Sequence, residues 1–352
     1  MKKINLFILA LTTSLFALTS CSDDDSSPIE NGNEQDFRNG VFVLNEGAMG
    51  SDNAEVTFFR NGEITSNIFK TTNPALNLGN VATHLHFDDN DGYIVVNLSK
   101  KIEVVDANTF LTKGTIQQQL NNPRYAETDN NFLYVSNWGD PSNPSDDYIS
   151  VYKRSDLSFV KKIDVAEGPD QLLIEDQQLY IAHAGGWSNG NSVSIYNLSS
   201  QNLTNIVVGD IPSALVEEND RVYVLCSGVT WGGTPSGGKI VEINPTNQQT
   251  RVIKEFNIGE NPRFLVEHNN QLFYTLNNQI FSLYPEISPA LPQAVFTSDA
   301  QYIYSFNILN NAIFIGDAKD FASNGEVKYY SLAGQLLGKF TTGIGPNFIT
   351  LN

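Results

Sequence analysis

Short apolar runs recur along the chain, and polar turns rich in Asn, Gly and Asp separate them. The stretch from 168 to 208 shows the unit most clearly, with runs at 170–174, 179–182, 193–196 and 203–208. Runs of this length that are rich in Val, Ile, Leu and Tyr are typical of β-strands. The pattern predicts a four-stranded antiparallel meander, whose strands we call A to D in chain order.

This unit repeats along almost the whole chain. The third run aligns best, and its copies are centred on Phe59, Val105, Tyr152, Tyr196, Ile243, Leu283 and Tyr330. Their spacing matches the ~40–50 residues of a propeller blade. The copy that begins at Val41 lacks a first run, and a matching run lies at the other end, at 346–351. The sequence therefore predicts an all-β, seven-bladed β-propeller over 39–352, with four-stranded antiparallel blades and a ring closed by the C-terminal strand.

Long loops between strands B and C hold the most distinctive residues. They span 45–53, 137–147, 183–191, 227–238 and 317–325, and they contain all three tryptophans, Trp138, Trp187 and Trp231. These tryptophans belong to neighbouring blades on one predicted face. Rigid aromatic surface beside Asn, Ser and Gly suits a large flat ligand or a protein partner. The alternative is that each Trp folds back and plugs its own loop against the next blade.

Polar residues near these loops are further candidates for ligand binding. Arg124, Asp170 and Arg263 each follow a proline that marks the crossing from one blade to the next. The arginines have planar donor groups that match carboxylate, amide or phosphate oxygens, although pairing between blades would use the same atoms. Asn137 precedes Trp138, and His183 lies at the base of the Trp187 loop.

The N-terminal residues indicate export and lipidation. Residues 1–20 combine two lysines, an apolar core and small residues, which is typical of a secretory signal peptide. Leu18 to Cys21 resembles the bacterial lipobox, which implies a lipidated Cys21. Ordinary signal cleavage beside an incidental cysteine is the alternative. We expect 21–38 to form an acidic, flexible tether.

Charge and cysteine content narrow the class of partners. The formal net charge of −18 repels phosphate backbones, so nucleic acid is excluded as an expected partner and membrane contact is expected through the lipid alone. Cys226 lies within an apolar run and has no sequence neighbour that would activate a thiol, so we interpret it as a core residue.

Signals for catalysis are weak. His84 and His86 alternate on a predicted strand and face one side, a spacing that suits either a metal or a structural pair. The segment Asp88–Asp89–Asn90–Asp91–Gly92 has the oxygen ligands of a calcium loop but lacks its distal Glu and fits a hairpin turn better. No nucleophile elbow, Walker loop or dinucleotide fingerprint is present. We predict no catalytic residue, no metal and no cofactor.

Two family resemblances follow from these residues. The proline at each blade start and the Leu-Tyr-Val-like second strand resemble the YncE-type seven-bladed propellers. The segment from Val41 to Gly47, followed by Gly50 to Ala54, resembles the start of Bacteroidota surface lipoproteins that include the BtuG-type cobalamin-capture proteins, and the acidic 22–27 resembles their export signal.

The second resemblance implies a location and a function. The location is the outer face of the outer membrane, and a periplasmic lipoprotein is the alternative. The function is non-catalytic capture of a ligand, such as the corrinoid cobalamin, for a TonB-dependent outer-membrane transporter. The alternatives are a module that binds a protein or a surface glycan and, less favoured, a propeller enzyme.

Overall fold

Each apolar run forms a β-strand in the structure, a computed structural model that describes residues 36–352. The strands assemble into seven antiparallel four-stranded sheets. The prediction of an all-β, seven-bladed propeller is therefore confirmed. The predictions of a signal peptide, a lipidated Cys21 and a tether up to residue 35 lie outside the described residues.

The seven blades follow one another in chain order. Blade 1 contains β1 (Val41–Asn45), β2 (Glu55–Arg60) and β3 (Glu63–Thr65), and its innermost strand is β28 (Pro346–Leu351). The strands of blades 2 to 4 are β4 (Ala82–Asp88), β5 (Asp91–Val96), β6 (Lys101–Asp106), β7 (Thr112–Ile116), β8 (Pro123–Thr128), β9 (Phe132–Asn137), β10 (Tyr148–Lys153), β11 (Phe159–Asp164), β12 (Pro169–Glu175), β13 (Gln178–His183), β14 (Ser192–Asn197) and β15 (Leu203–Val207). Those of blades 5 to 7 are β16 (Pro212–Glu217), β17 (Val222–Cys226), β18 (Lys239–Ile243), β19 (Thr250–Glu255), β20 (Pro262–His268), β21 (Gln271–Leu276), β22 (Gln279–Leu283), β23 (Gln293–Thr297), β24 (Ile303–Leu309), β25 (Ala312–Asp317), β26 (Glu326–Ser331) and β27 (Leu336–Thr341).

The C-terminal strand closes the ring as the missing first run predicts. β28 pairs antiparallel with β1 along its whole length, from Val41 opposite Leu351 to Asn45 opposite Pro346. It also contacts the first strands of the blades on either side, β24 and β4. Closure leaves no inner edge strand exposed, and this removes a template for aggregation.

Large apolar side chains fill the spaces between neighbouring blades. Four tyrosines occupy the same position of the second strand in blades 2 to 5, Phe273 occupies it in blade 6, and all five rings are buried: Tyr93, Tyr134, Tyr180, Tyr223 and Phe273. A tyrosine ring covers a large apolar area, so one such residue per blade supplies much of the packing against the next sheet. This explains why the Leu-Tyr-Val-like run repeats in the sequence.

The ring has two unlike faces. The first residue of each innermost strand pairs with the last residue of the second strand, so the blade crossings and the B–C loops lie on one side, which we call the loop face. The hairpin turns lie on the other side, the turn face. Near the loop face every innermost strand carries one extra residue relative to its neighbour. Such bulges redirect side chains, here around the mouth of the central channel.

Residues ahead of β1 contact the propeller. Phe37, which lies in the predicted tether, is buried and packs edge-on against Phe58 and Phe110, with ring centroids 5.1 and 6.0 Å away. The single helix of the described residues is α1 (Ile68–Thr72), whose Ile68 and Phe69 are buried. Within this part of the chain no helix has the length and apolarity to cross a membrane.

Candidate functional site

The structure places the three predicted tryptophans on the loop face. Trp138 and Trp187 meet edge-to-face with ring centroids 6.3 Å apart, so the loops of blades 3 and 4 touch. The next pair of loops also touches, because the Asn189 side-chain amide donates to the Trp231 carbonyl at 3.2 Å. The three loops therefore form one continuous surface across blades 3 to 5, as their adjacency in sequence predicts.

Two neighbouring residues pack against the Trp138 ring. The Arg124 guanidinium lies 4.1 Å from the ring centroid. Gly186 lies against the same ring so closely that a Cβ there would be 3.3 Å from it, and Gly186 also has φ +60°, where glycine is favoured. This is the geometry of a plug between blades 3 and 4.

Trp187 and Trp231 are exposed instead. Trp187 is 61% exposed and Trp231 is 79% exposed, and both face solvent from Gly-rich loops. Other large apolar side chains on the same face are also exposed: Met49, Leu98, Ile258, Tyr302 and Phe321. Exposed apolar side chains also occur on the outer strands and the turn face, so the distinctive feature of the loop face is its two exposed tryptophan rings on adjoining loops. The two alternatives from the sequence, packing and ligand contact, therefore apply to different residues. Trp138 packs between its own loop and the next blade, whereas Trp187 and Trp231 are available for contact.

Polar side chains from several blades meet at the channel mouth. Tyr304 donates its hydroxyl to the Glu46 carboxylate, although the two residues are far apart in sequence. Burial raises the pKa of Glu46, and the Arg124 charge opposes that rise. Arg124 also faces Asp170, with Nε 3.6 Å from Oδ1. The sequence places Arg124 and Asp170 here correctly, but it gives no sign of the Glu46–Tyr304 contact.

Two donors beside the Trp138 ring have no hydrogen-bond acceptor within the described part of the chain. They are Arg124 Nε and Trp138 Nε1, and both atoms are buried. Arg124 Nε nevertheless faces the Asp170 carboxylate at 3.6 Å, so Trp138 Nε1 is the donor that has no partner of either kind in this part of the chain, and a buried donor of this kind is unusual in proteins.

The structure does not bring Asn137 and His183 to the surface. The Asn137 amide donates to Val135 O and Ser150 Oγ at 2.9 Å each, and its Oδ1 accepts from the Asn121 N–H. His183 is also buried, its Nε2 lies 2.8 Å from Ser194 Oγ, and burial lowers its pKa to about 4. Both residues support the loops from below.

A hydrogen-bonded chain of polar groups lies at the turn-face end of the channel. Thr128 donates to Asp88 at 2.7 Å and accepts from His86 Nε2 at 2.7 Å. Arg154 pairs with Asp88 at 2.8 Å. Burial lowers the pKa of His86 to about 4, so the ring is neutral at pH 7. His84 is fully buried, stacks on Tyr125 at 3.4 Å and accepts from the Ala126 N–H, so this histidine pair packs the inner wall.

Glu127 in the same cluster gives the protein a pH-dependent stability. Burial, reinforced by Asp88, raises the pKa of Glu127 from 4.5 to about 7. The folded state therefore keeps this proton to higher pH than the unfolded state, and stability falls as pH rises from 4.5 to 7. Glu127→Gln has no carboxyl to ionise and so avoids this loss of stability. We therefore expect its free energy of unfolding at pH 8 to exceed that of the parent by on the order of 3 kcal/mol.

Urea unfolding at pH 4 and pH 8 measures this difference. At pH 4 the two proteins should be equally stable, because the carboxyl is then protonated in both states. Glu63→Gln, the same substitution at an exposed position on β3, is the matched control. Equal stability of Glu127→Gln and the parent at pH 8 would contradict the buried-carboxyl interpretation.

Three acidic side chains also converge on the turn face. Carboxylate oxygens of Glu175, Glu217 and Asp220 lie within 4.8 Å of one another. Burial and the nearby Glu217 charge raise the pKa of Glu175. Oxygen ligands at this spacing suit a hard cation such as Ca²⁺. The sequence does not predict this group, because its members come from two separate hairpins.

The fold and the loop face define the class of the protein, a seven-bladed β-propeller with a loop-built surface. The chain belongs to the family described as "Domain of unknown function (DUF5074)", whose model matches residues 39–331. No match was found among curated proteins.

Solved structures share the fold at low identity. A quinonprotein alcohol dehydrogenase-like protein from Bacteroides thetaiotaomicron is 13% identical with a TM-score of 0.66, over 90% of this chain and 79% of that one. The periplasmic gluconolactonase of Pseudomonas aeruginosa is 12% identical with a TM-score of 0.63, over 88% and 98%. BamB from Moraxella catarrhalis is 12% identical with a TM-score of 0.53, over 86% and 87%. These likenesses show the fold alone, and a fold shared by such different proteins does not decide between catalysis and binding.

Proposed function

We propose that this protein is a non-catalytic surface lipoprotein that captures a corrinoid such as cobalamin on its loop face and passes it to a TonB-dependent outer-membrane transporter. Lipidation of Cys21 would anchor it, and the acidic segment after Cys21 would direct it to the outer face of the outer membrane. The resemblance of the opening segment to BtuG-type proteins supports this reading.

The observation that carries the proposal is the exposure of Trp187 and Trp231 on adjoining loops. A corrinoid has a flat macrocycle, which stacks on aromatic rings, and a rim of amides, which bond to polar side chains. The Trp138 Nε1 donor, which has no hydrogen-bond partner among the described residues, lies beside this surface and suits an amide oxygen. Asn189, between the two exposed rings, adds a side-chain amide.

Calorimetric titration of the purified protein with cyanocobalamin tests the proposal. We expect a dissociation constant in the micromolar range or below, for which 1 µM corresponds to a binding free energy on the order of −8 kcal/mol. Iron protoporphyrin is the matched control, since it is also flat but has carboxylates where a corrinoid has amides, and it should bind more weakly. Failure of cyanocobalamin to bind at micromolar concentration would refute the corrinoid assignment.

Docking of a protein partner is the second candidate function. The observation that favours it is the spread of exposed apolar side chains around the rim, from Met49 in blade 1 to Ile258 between blades 5 and 6. Such a spread exceeds what one small ligand covers. Co-purification of a stable partner together with no heat of binding for cyanocobalamin would favour this function over ligand capture.

A further inference from the structure

A cavity of about 430 Å³ lies inside the channel, apart from the exposed tryptophans. The innermost strands of blades 5, 6, 7 and 1 form most of its wall. Apolar side chains dominate that wall: Ala214, Val216, Phe264, Val266, Phe348 and Ile349. Arg263, Ser213 and Asn347 lie at its loop-face end, and Glu267 lies at its turn-face end. Gln171, Ser227, Ser305 and Asn307 also line the cavity, so it offers both apolar surface and hydrogen-bonding groups to a small molecule.

Arg263 differs from the other mouth arginine in having no acidic partner. Arg124 faces Asp170, whereas no carboxylate of the described residues lies within ion-pair distance of Arg263. Its Nη1 donates to the Tyr302 hydroxyl at 3.1 Å and to the Ile303 carbonyl at 3.4 Å. These bonds fix the guanidinium at the cavity and leave its other donors for an anion, for which its planar fork is suited.

Phe264 departs from the repeat geometry at the same place. In five blades the residue just before the innermost strand has positive φ: Gly345, Val81, Asn122, Gly168 and Ile211. In blade 6 the positive φ moves into the strand, to Phe264 at +54°, and this is also the extra residue of the bulge. For a bulky side chain that conformation is strained, and such strain clusters at ligand sites. Here it places the ring in the cavity wall.

We propose that the channel cavity binds a small carboxylate with an apolar body. The carboxylate accepts hydrogen bonds from Arg263, and the body lies against Phe264, Val266 and Phe348. Glu267 at the far end repels an anion, so it sets the direction in which the ligand enters. This site goes beyond the proposed function, because it uses the interior of the ring and does not involve Trp187 or Trp231.

Calorimetric titration of the purified protein with 3-phenylpropanoate tests the proposal. The uncharged 3-phenylpropanol and the cationic 3-phenylpropylamine are the matched control compounds, because they share the apolar body and lack the carboxylate. We expect the carboxylate to bind at least ~10-fold more tightly than either, because only it satisfies the Arg263 guanidinium. Octanoate, with an aliphatic body, is the second probe.

Variants separate this site from the loop face. Arg263→Gln should weaken 3-phenylpropanoate binding by ~10-fold or more, whereas Arg221→Gln, the same charge change on the turn face, should leave it unchanged. Phe264→Asn removes the ring, suits the left-handed backbone and should also weaken binding. Trp187→Ala should bind the carboxylate as the parent does. Equal binding of the alcohol, an unaffected Arg263→Gln variant, or no binding of either carboxylate at millimolar concentration would overturn the proposal.

Discussion

Removal of residues 346–352 will destroy cooperative folding of the propeller. The truncation deletes β28, which pairs with all of β1 and packs against the first strands of both neighbouring blades. Ile349 is buried and Phe348 packs against the core. Each large buried apolar side chain removed costs about 2–5 kcal/mol, so we expect a loss of at least about 5 kcal/mol. Guanidinium unfolding and light scattering measure the loss and the accompanying aggregation.

Two comparisons make this prediction specific to the closing strand. Deletion of Asn352 alone leaves β28 intact and should have little effect. A synthetic peptide of residues 346–352, added in trans, should restore part of the stability by pairing with the freed edge of β1. A truncated protein that unfolds at the same denaturant concentration as the parent would show that closure contributes little.

Replacement of Trp187 or Trp231 by alanine will weaken cyanocobalamin binding without destabilising the fold. Each ring is mostly exposed, so its loss removes ligand contact but little internal packing. An aromatic hot-spot residue contributes about 2 kcal/mol or more, which is roughly a 30-fold loss of affinity. Calorimetry measures the affinity, and thermal unfolding measures the stability.

Trp138→Ala and Leu336→Ala are the informative controls. Trp138 packs against both Arg124 and Gly186, so its removal should lower stability as well as affinity. Leu336 is an exposed apolar residue on the outer strand of blade 7, and its removal should change neither quantity. If Trp187→Ala and Trp231→Ala both bind cyanocobalamin as the parent does, the ligand does not use the exposed tryptophans.

The repeat was enough to predict the architecture. Seven aligned third runs indicate the number of blades, and the unpaired copy at Val41 indicates how the ring closes. These signals are local and periodic, so they can be recognised in the sequence without any knowledge of three-dimensional contacts. Pairing of Glu46 with Tyr304 carries no such signal, because it joins residues 258 positions apart through the curvature of the ring.

The buried positions of Asn137 and His183 show a second limit. The last residue of the second strand lies opposite the first residue of the innermost strand, directly beneath the blade crossing. Asn45, Cys226 and Asp317 hold the same position in other blades and are also buried. At this position Asp317 accepts from the Gln301 and Tyr302 N–H groups, as Asn137 does from Asn121. Polar residues beside a binding loop can thus be structural supports, which sequence order alone does not reveal.

The two ends of the described chain meet at one hairpin of blade 2. The Phe37 N–H donates to Asn108 O at 2.7 Å, and the Asn352 side chain donates to Ala107 O at 2.7 Å. This hairpin belongs to the turn face. The described chain therefore begins and ends on the side of the ring opposite the tryptophans, and neither of its ends covers the loop face.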